Sequence, residues 1–197
     1  MCGNGIRCVG KYVYEKGYTD KRKLTVETLS GIRRLNLETL NGRVRGVSVD
    51  MGSYEVDAER TLRVGTDTVT LTPVSVGNPH AVLFVRDAES APVDTLGPRI
   101  ERHENFPDGV NVEFVQVLTQ DALRMRVWER GSGVTMACGT GACASVAAAV
   151  SRGYCLPDTS VRVLLDGGTL TVTAHTDGTL TMTGPAVTVY EGETEIC

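Results

Sequence analysis

Two short segments of this 197-residue chain combine a thiol with closely spaced glycines: Cys2-Gly3-Asn4-Gly5-Ile6 and Cys138-Gly139-Thr140-Gly141-Ala142. Each is followed by a further cysteine, Cys8 or Cys143. Both open stretches that read as helices, so each leading cysteine should stand among the unpaired N–H groups of a helix start, where the dipole favours negative charge. The dipole contributes about 0.3–1 kcal/mol, and up to ~2 kcal/mol when partly buried. At about 1.4 kcal/mol per pKa unit, a thiol near 8.5 is expected to fall to about 7–8. Such a group is poised between its two states. A pair of them could invert a carbon centre, one as thiolate removing a proton while the other, as thiol, delivers one to the opposite face. The glycines let backbone approach a ligand closely, and helix N-termini can hold a carboxylate that stabilises charge developing at the adjacent carbon.

Other chemistries fit these segments less well. Free cysteines are usually packing residues, and a single Cys-Gly-x-Gly would be read that way; two copies at two helix starts favour function. The spacings Cys-x5-Cys and Cys-x4-Cys lack the Cys-x2-Cys knuckle of zinc sites. Cys138–Ser145 has no Gly-Lys-Ser/Thr ending for a phosphate loop. A Cys2–Cys138 disulfide is expected only as a side reaction of sulfurs brought face to face. Cys8 and Cys143 fall inside the helices and are expected in the core; Cys155 and Cys197 carry no further signal. All four lysines (Lys11, Lys16, Lys21, Lys23) precede residue 24. The second half therefore has none to form a Schiff base, which disfavours a pyridoxal phosphate enzyme.

The elements that must position these residues are mostly short strands. Lys23–Leu29, Ile32–Leu37, Val44–Val49, Val69–Val76, Ala81–Val85, Val110–Val117, Ala122–Trp128, Val161–Leu165, Leu170–Ala174, Leu180–Thr183 and Ala186–Tyr190 read as strands. Ser30-Gly31, Asn41-Gly42, Asp166-Gly167-Gly168 and Asp177-Gly178 read as hairpin turns, which predicts mostly antiparallel sheets. One helix is predicted from Gly3 to Lys16, with Ile6, Val9 and Val13 on one face and Gly17 as cap. A second runs from Gly139 to Arg152 with Gly153 as cap; its Ala142–Val150 stretch is apolar on every side and must be buried, wrapped by a sheet. A weaker third helix is read near Leu96–Arg102. The repeated segment suggests an internal duplication, two strand-rich units with one helix each. Tyr54–Thr68, polar and charged, is read as the crossing between them.

Composition sets the outer bounds. Hydrophobic residues make up 41% and charged residues 22%, with a formal net charge of -4, which offers no electrostatic case for nucleic acid or anionic membrane. No apolar run approaches the roughly 20 residues that span a bilayer, and no signal peptide is apparent, so the cytosol is the expected compartment. Six cysteines in a chain this long do not form a disulfide scaffold.

Four motifs in order resemble the diaminopimelate epimerase family. They are Met1-Cys2-Gly3-Asn4-Gly5-Ile6-Arg7-Cys8, Gly77-Asn78-Pro79-His80, Gly109-Val110-Asn111-Val112-Glu113-Phe114, and Glu129-Arg130-Gly131-Ser132-Gly133-Val134-Thr135-Met136-Ala137-Cys138-Gly139-Thr140-Gly141-Ala142-Cys143. The resemblance implies an α+β fold of two pseudo-symmetric domains, each a mostly antiparallel curled sheet around a central helix, with the active site in the cleft between. Their bounds are expected at 1–56 plus 184–197, and at 57–183. It implies interconversion of LL- and meso-diaminopimelate without pyridoxal phosphate or metal, on the bacterial lysine and peptidoglycan route. Cys2 would be the proton donor and Cys138 the acceptor in the conventional direction, with roles exchanged in reverse. His80 and Glu129 would support catalysis. Gly3, Asn4, Asn78, Asn111, Glu129, Arg130, Gly139 and Thr140 would bind substrate, and Tyr190 would contact a second copy in a homodimer.

Each assignment has a plainer rival. His80 could be a turn histidine, Glu129-Arg130 a solvated strand end, Asn111 a turn cap and Tyr190 an ordinary strand tyrosine. A zwitterionic amino acid, however, needs an acceptor for its ammonium and donors for its carboxylate, and Glu129-Arg130 offers both. His103 and His175 are read as surface or packing residues. Family members carry a substantial segment before the first catalytic cysteine, so Met1 reads as an internal methionine. This chain alone is therefore expected to be poorly stable and inactive, with an incomplete first sheet; turnover near that of an intact enzyme would contradict this. A two-thiol proline or hydroxyproline racemase and a non-catalytic amino-acid-binding module are the competing functions.

Overall fold

Glycine turns set the pairing of the first strands. Asn41 and Gly42 take φ values of 51° and 74°, the left-handed pair that a two-residue hairpin turn needs. They join β2 (Gly31–Leu40) to β3 (Arg43–Ser53), and β1 (Lys23–Thr28) pairs with β2 on the other side. In this computed structural model, which describes residues 2–193 and 195, α1 (Gly3–Glu15) precedes these strands. Then follow β4 (Glu55–Val56), β5 (Arg60–Val64), β6 (Asp67–Ser75), β7 (Pro79–Phe84), α2 (Val93–Glu101), β8 (Asn111–Thr119), β9 (Ala122–Glu129), β10 (Gly133–Thr135), α3 (Gly139–Ser151), β11 (Ser160–Leu165), β12 (Gly168–Ala174) and β13 (Thr179–Gly184). Met1 and Cys197 lie outside the described residues.

The strands form one mixed α+β sheet in the order β1-β2-β3-β13-β12-β11-β9-β8-β7-β6-β4, with β10 on β9 and β5 on β6. Most neighbours are antiparallel, as the hairpin turns predict. Two pairs, β7 with β8 and β11 with β9, are parallel. Each needs a crossover, supplied by α2 and α3 respectively.

α3 is the centre. Ala142, Cys143, Ala144, Ser145, Val146, Ala147, Ala148 and Ala149 are fully buried. The helix packs against β4, β6, β7, β8, β9, β11, β12 and β13, so the expectation of a wrapped helix holds. Strand alternation gives the sheet two apolar faces here. Val82 of β7 and Val115 of β8 belong to the core around α3, whereas Ala81, Leu83, Val112 and Phe114 belong to a second core under α2. Period two then sends His80 and Glu113, on the same strands, toward α3.

α1 is covered differently. It packs on β2 and β3 and touches α3, burying Gly3, Ile6, Arg7 and Gly10. That i, i+3, i+4, i+7 stripe is not the predicted Ile6, Val9, Val13 face: Val9 is 46% exposed. Gly10 decides which face turns in, because a Cβ there would come within 2.8 Å of Leu35; only a glycine lets the helix lie so close to the sheet. Cys8 consequently faces solvent, contrary to the expectation that it joins the core. Cys143 is buried, as expected.

Two further expectations need correction. Tyr54–Thr68 is not a bare crossing but holds β4, β5 and the start of β6. Leu62 and Val64 are buried on either side of exposed Arg63, and the Arg99 side chain of α2 reaches back to Asp67 and to the Val64 carbonyl. The predicted strand at Ala186–Tyr190 does not form. β13 already has β3 and β12 as partners, so no edge is left beside it, and the segment after Pro185 instead runs along the outer face of α1. Among the described residues no helix is long and apolar enough to cross a membrane.

Because α3 is enclosed and α1 is half-covered, the two helices should answer differently to substitution. Ala148→Leu is expected to cost about 1–3 kcal/mol by overpacking, and Val9→Ser on α1 to stay within about 0.5 kcal/mol. Urea unfolding checks both, and a Val9→Ser loss as large as that at Ala148 would place Val9 in a core.

Candidate active site

The two cysteine segments make the same turn. Cys2 and Cys138 have extended backbones (ψ 113° and 112°) and stand as N-caps of α1 and α3. Cys2 Sγ accepts from Gly5 N–H at 3.4 Å, and Cys138 Sγ accepts from Gly141 N–H at 3.3 Å. Each sulfur thus occupies the place that a serine or aspartate oxygen takes in an ordinary cap.

Met182 of β13 brings the two caps together. A Cβ on Gly3 would come within 2.7 Å of its methyl, and one on Gly139 within 3.2 Å of its sulfur. Asn4 Oδ1 lies 3.8 Å from the same point on Gly139. The residues next to Cys2 and Cys138 therefore rest on one side chain, and the two helix starts meet there.

Their surroundings differ. Cys2 is exposed, while Cys138 is 7% exposed. Burial pushes the Cys138 thiol up to about 12, with the Glu113 and Glu129 carboxylates adding to the rise and the Thr140 hydroxyl and Gly141 N–H opposing it. This overturns the expectation that the helix dipole leaves that thiol near 7–8. Desolvation in a wrapped helix outweighs the dipole.

A hydrogen-bonded file leads away from Cys138. Its sulfur is 3.5 Å from Thr140 Oγ1, which accepts a long bond from Asn78 Nδ2 at 3.5 Å. Asn78 Oδ1 meets His80 Nε2 at 3.2 Å, and His80 Nδ1 meets Glu113 Oε1 at 2.7 Å. The side chains of His80 and Glu113 are fully buried, so His80 is no mere turn residue. Glu113 has no role in the sequence expectations, although its alternation with Val112 and Phe114 was the available signal. Gly141 must be glycine, since a Cβ there would lie 2.8 Å from Glu113 Oε1 and 3.3 Å from Cys138 Sγ.

The remaining predicted residues divide. Glu129 is half-buried, accepts from the Thr135 hydroxyl at 2.5 Å, and lies near enough to raise the Cys138 thiol. Asn111 ties two loops, donating to Pro79 O at 3.0 Å and accepting from Arg130 N–H at 3.0 Å. Arg130 is exposed and donates to Asp108 O at 3.0 Å. Glu101, at the end of α2, steadies this turn by accepting from Trp128 Nε1 and Gly131 N–H. Asn4 accepts from Arg7 at 3.0 Å. Arg7, also unassigned by sequence, is buried with bonds to Gly3 O and Pro185 O. Tyr190 is 84% exposed and lines a groove of about 760 Å³ on the outer face of α1 with Cys8 and Tyr12; neither capping cysteine lines that groove. His103 and His175 are half-buried among surface turns, as read.

Known proteins share both the sequence and the shape. The sequence profile of the family described as "Diaminopimelate epimerase" matches residues 1–56 and 72–189. The chain belongs to this family. It is 48% identical over 196 residues to the diaminopimelate epimerase of Bacteroides thetaiotaomicron, spanning 99% of this chain and 72% of that protein. It is 51% identical over 195 residues to that of Parabacteroides distasonis, spanning 98% and 71%. Among solved structures, a probable proline racemase from Agrobacterium radiobacter superposes with a TM-score of 0.75 at 20% identity, covering 94% of this chain and 65% of that one. A PhzF-family phenazine biosynthesis protein from Bacillus anthracis superposes at 0.76 and 17% identity, covering 100% and 76%. At these identities the two structures bear on the fold alone, and it is the fold expected.

Exposure and ionisation set an order of reaction. At pH 8, iodoacetamide should modify Cys2 and Cys8 well before Cys138, Cys143 and Cys155. Burial holds all three of these thiols above the ordinary range, and the thiolate is the nucleophile. Peptide mass spectrometry after short exposures reads the order, and labelling of Cys143 first would refute it.

Proposed function

We propose that the protein interconverts LL- and meso-diaminopimelate by proton transfer between two sulfurs. The observation that carries this reading is the pair of identical cysteine caps converging on Met182, in a chain 48% and 51% identical to diaminopimelate epimerases.

In each turnover one sulfur, as thiolate, takes the proton from the α-carbon and becomes a thiol. The other, already a thiol, gives its proton to the opposite face and becomes a thiolate. The two residues finish with exchanged protonation, and the reverse reaction uses them in opposite roles. Gly3, Asn4, Gly139 and Thr140 line the helix starts, whose free N–H groups suit the substrate carboxylate and oppose the charge developing beside it. Glu129 and Arg130 supply an acceptor and a donor for the zwitterionic group. Asn78 and Asn111 serve as further polar contacts for the substrate, and His80 supports Cys138 through the hydrogen-bonded file described above.

In this reading the units 1–56 with 184–197, and 57–183, each contribute one capping cysteine. The homodimer contact falls at Tyr190, where Val187, Val189 and Tyr190 stand exposed together. The five described cysteines are free thiols, which suits the reducing cytosol. A proline racemase of the same fold is the second reading, and the far higher identity to the epimerases argues against it.

Isotope exchange by the complete gene product in deuterium oxide decides between them. Deuterium should enter the α-carbon of diaminopimelate as it inverts, read by mass spectrometry, and Cys2→Ala or Cys138→Ala should each slow this by at least about 10²-fold. Exchange at proline but not diaminopimelate would overturn the reading. Binding of diaminopimelate with no exchange in the unsubstituted protein would favour a non-catalytic module.

A further inference from the structure

The chain of contacts from Cys138 to Glu113 raises a protonation problem. Both ring nitrogens of His80 face oxygens, Glu113 Oε1 at 2.7 Å and Asn78 Oδ1 at 3.2 Å. A neutral imidazole donates from only one nitrogen. With Glu113 ionised and the Asn78 amide oxygen turned toward the ring, both ring nitrogens must donate, and His80 carries both protons. Asn78 then donates from Nδ2 to Thr140, and the Thr140 hydroxyl is left free to donate to Cys138 Sγ, as it would to a thiolate.

A second arrangement also satisfies every bond. His80 is neutral with its proton on Nδ1, still donated to Glu113. The Asn78 amide is turned over, so that Nδ2 donates to His80 Nε2 and Oδ1 accepts from Thr140. The Cys138 thiol then donates to Thr140 Oγ1. The two arrangements differ by the place of one proton, on His80 Nε2 or on Cys138 Sγ. It moves by way of solvent or substrate, since an amide does not relay it.

Glu113 is the fixed point in both. Its Oε2 is buried without a partner, and among the described residues no lysine or arginine is bonded to it or to His80. A carboxylate so placed favours a cation beside it, which a doubly protonated His80 supplies in the first arrangement, while the Nδ1–H bond remains to it in the second. The charged and titratable groups facing Cys138 are Glu113 on β8, Glu129 on β9 and Cys143 on α3. None is a cation. Among the described residues, His80, three bonds away along the file, is the group of that file able to carry a positive charge opposite a thiolate there.

We propose that Glu113 is a positioning residue for proton transfer at Cys138: by holding His80 Nδ1–H it lets His80, Asn78 and Thr140 switch between an imidazolium–thiolate and an imidazole–thiol arrangement. This rests on the reading of Cys138 as a proton-transfer group.

The test is the pH profile of Cys138 alkylation by iodoacetamide in the unliganded protein, followed by peptide mass spectrometry and independent of turnover. If Glu113 acts through His80, Glu113→Gln shifts the midpoint upward by about one unit, a tenfold loss of reactive thiolate at a fixed pH below both midpoints. His80→Gln shifts it the same way, and the double variant moves no further than His80→Gln alone. If Glu113 were only a buried anion repelling the thiolate, Glu113→Gln would shift the midpoint downward; if its role were packing alone, there would be no shift. Either result overturns the proposal. Should Glu113→Gln fail to fold, ring-nitrogen NMR of the unsubstituted protein serves instead. His80 should still hold its second proton at the pH where Cys138 becomes reactive and lose it only above that, and a singly protonated ring throughout would refute the switch. A shift as predicted in a protein that exchanges no diaminopimelate proton would sink the proposed function and leave this inference standing.

Discussion

The site depends on one close approach, that of two helix N-termini resting on the side chain of Met182. Gly3 and Gly139 permit it, because any Cβ at either position would press on that methionine. β13 must therefore lie between β3 and β12, presenting Met182 at the place where α1 and α3 begin. The sheet order, with the last strand inserted beside the third, joins the early and late parts of the chain. The helix starts that Cys2 and Cys138 cap, 136 positions apart in sequence, meet because that strand sits where it does.

Symmetry of the caps does not extend to their electrostatics. Cys2 is open to solvent, and behind its helix start lies Arg7, a buried guanidinium whose charge opposes the rise of the Cys143 thiol. Burial lowers the Arg7 pKa, yet bonds to Gly3 O, Asn4 and Pro185 O satisfy the group. Cys138 is enclosed, and its nearest charges are carboxylates. Two sulfurs made alike by local sequence are thus made unlike by what the sheet brings around them. A two-base reaction uses this difference, since at any moment one sulfur must be a thiolate and the other a thiol.

Much of this was legible in the residues. The Asn41-Gly42 and Asp177-Gly178 turns, the all-apolar run of α3 and the repeated Cys-Gly-x-Gly each reflect a local rule, and the structure obeys it. The failures have a common cause. Cys8 reads as a core residue because it falls inside the helix, but Gly10, which looks neutral in a helical pattern, is what turns the opposite face of α1 toward the sheet. The Cys138 thiol reads as poised at about 7–8 because the dipole is a local effect, whereas the burial that overrides it comes from strands spread from β4 to β13. Glu113 looked like an unremarkable charge in an apolar strand; only the parallel pairing of β7 with β8 sets it against His80. Ala186–Tyr190 has strand composition, but the strand it follows, β13, is already paired on both sides.

The most direct measurement of the central claim is cross-linking of the folded protein with a short bis-alkylating thiol reagent, followed by peptide mapping. A bridge between the peptides of Cys2 and Cys138 is the predicted product, because both helix starts meet at Met182. A protein that remains folded and bridges Cys2 only to Cys8, leaving Cys138 unlinked even at a pH where it is alkylated singly, would show that the two sulfurs do not face one another, and the two-sulfur mechanism would be wrong.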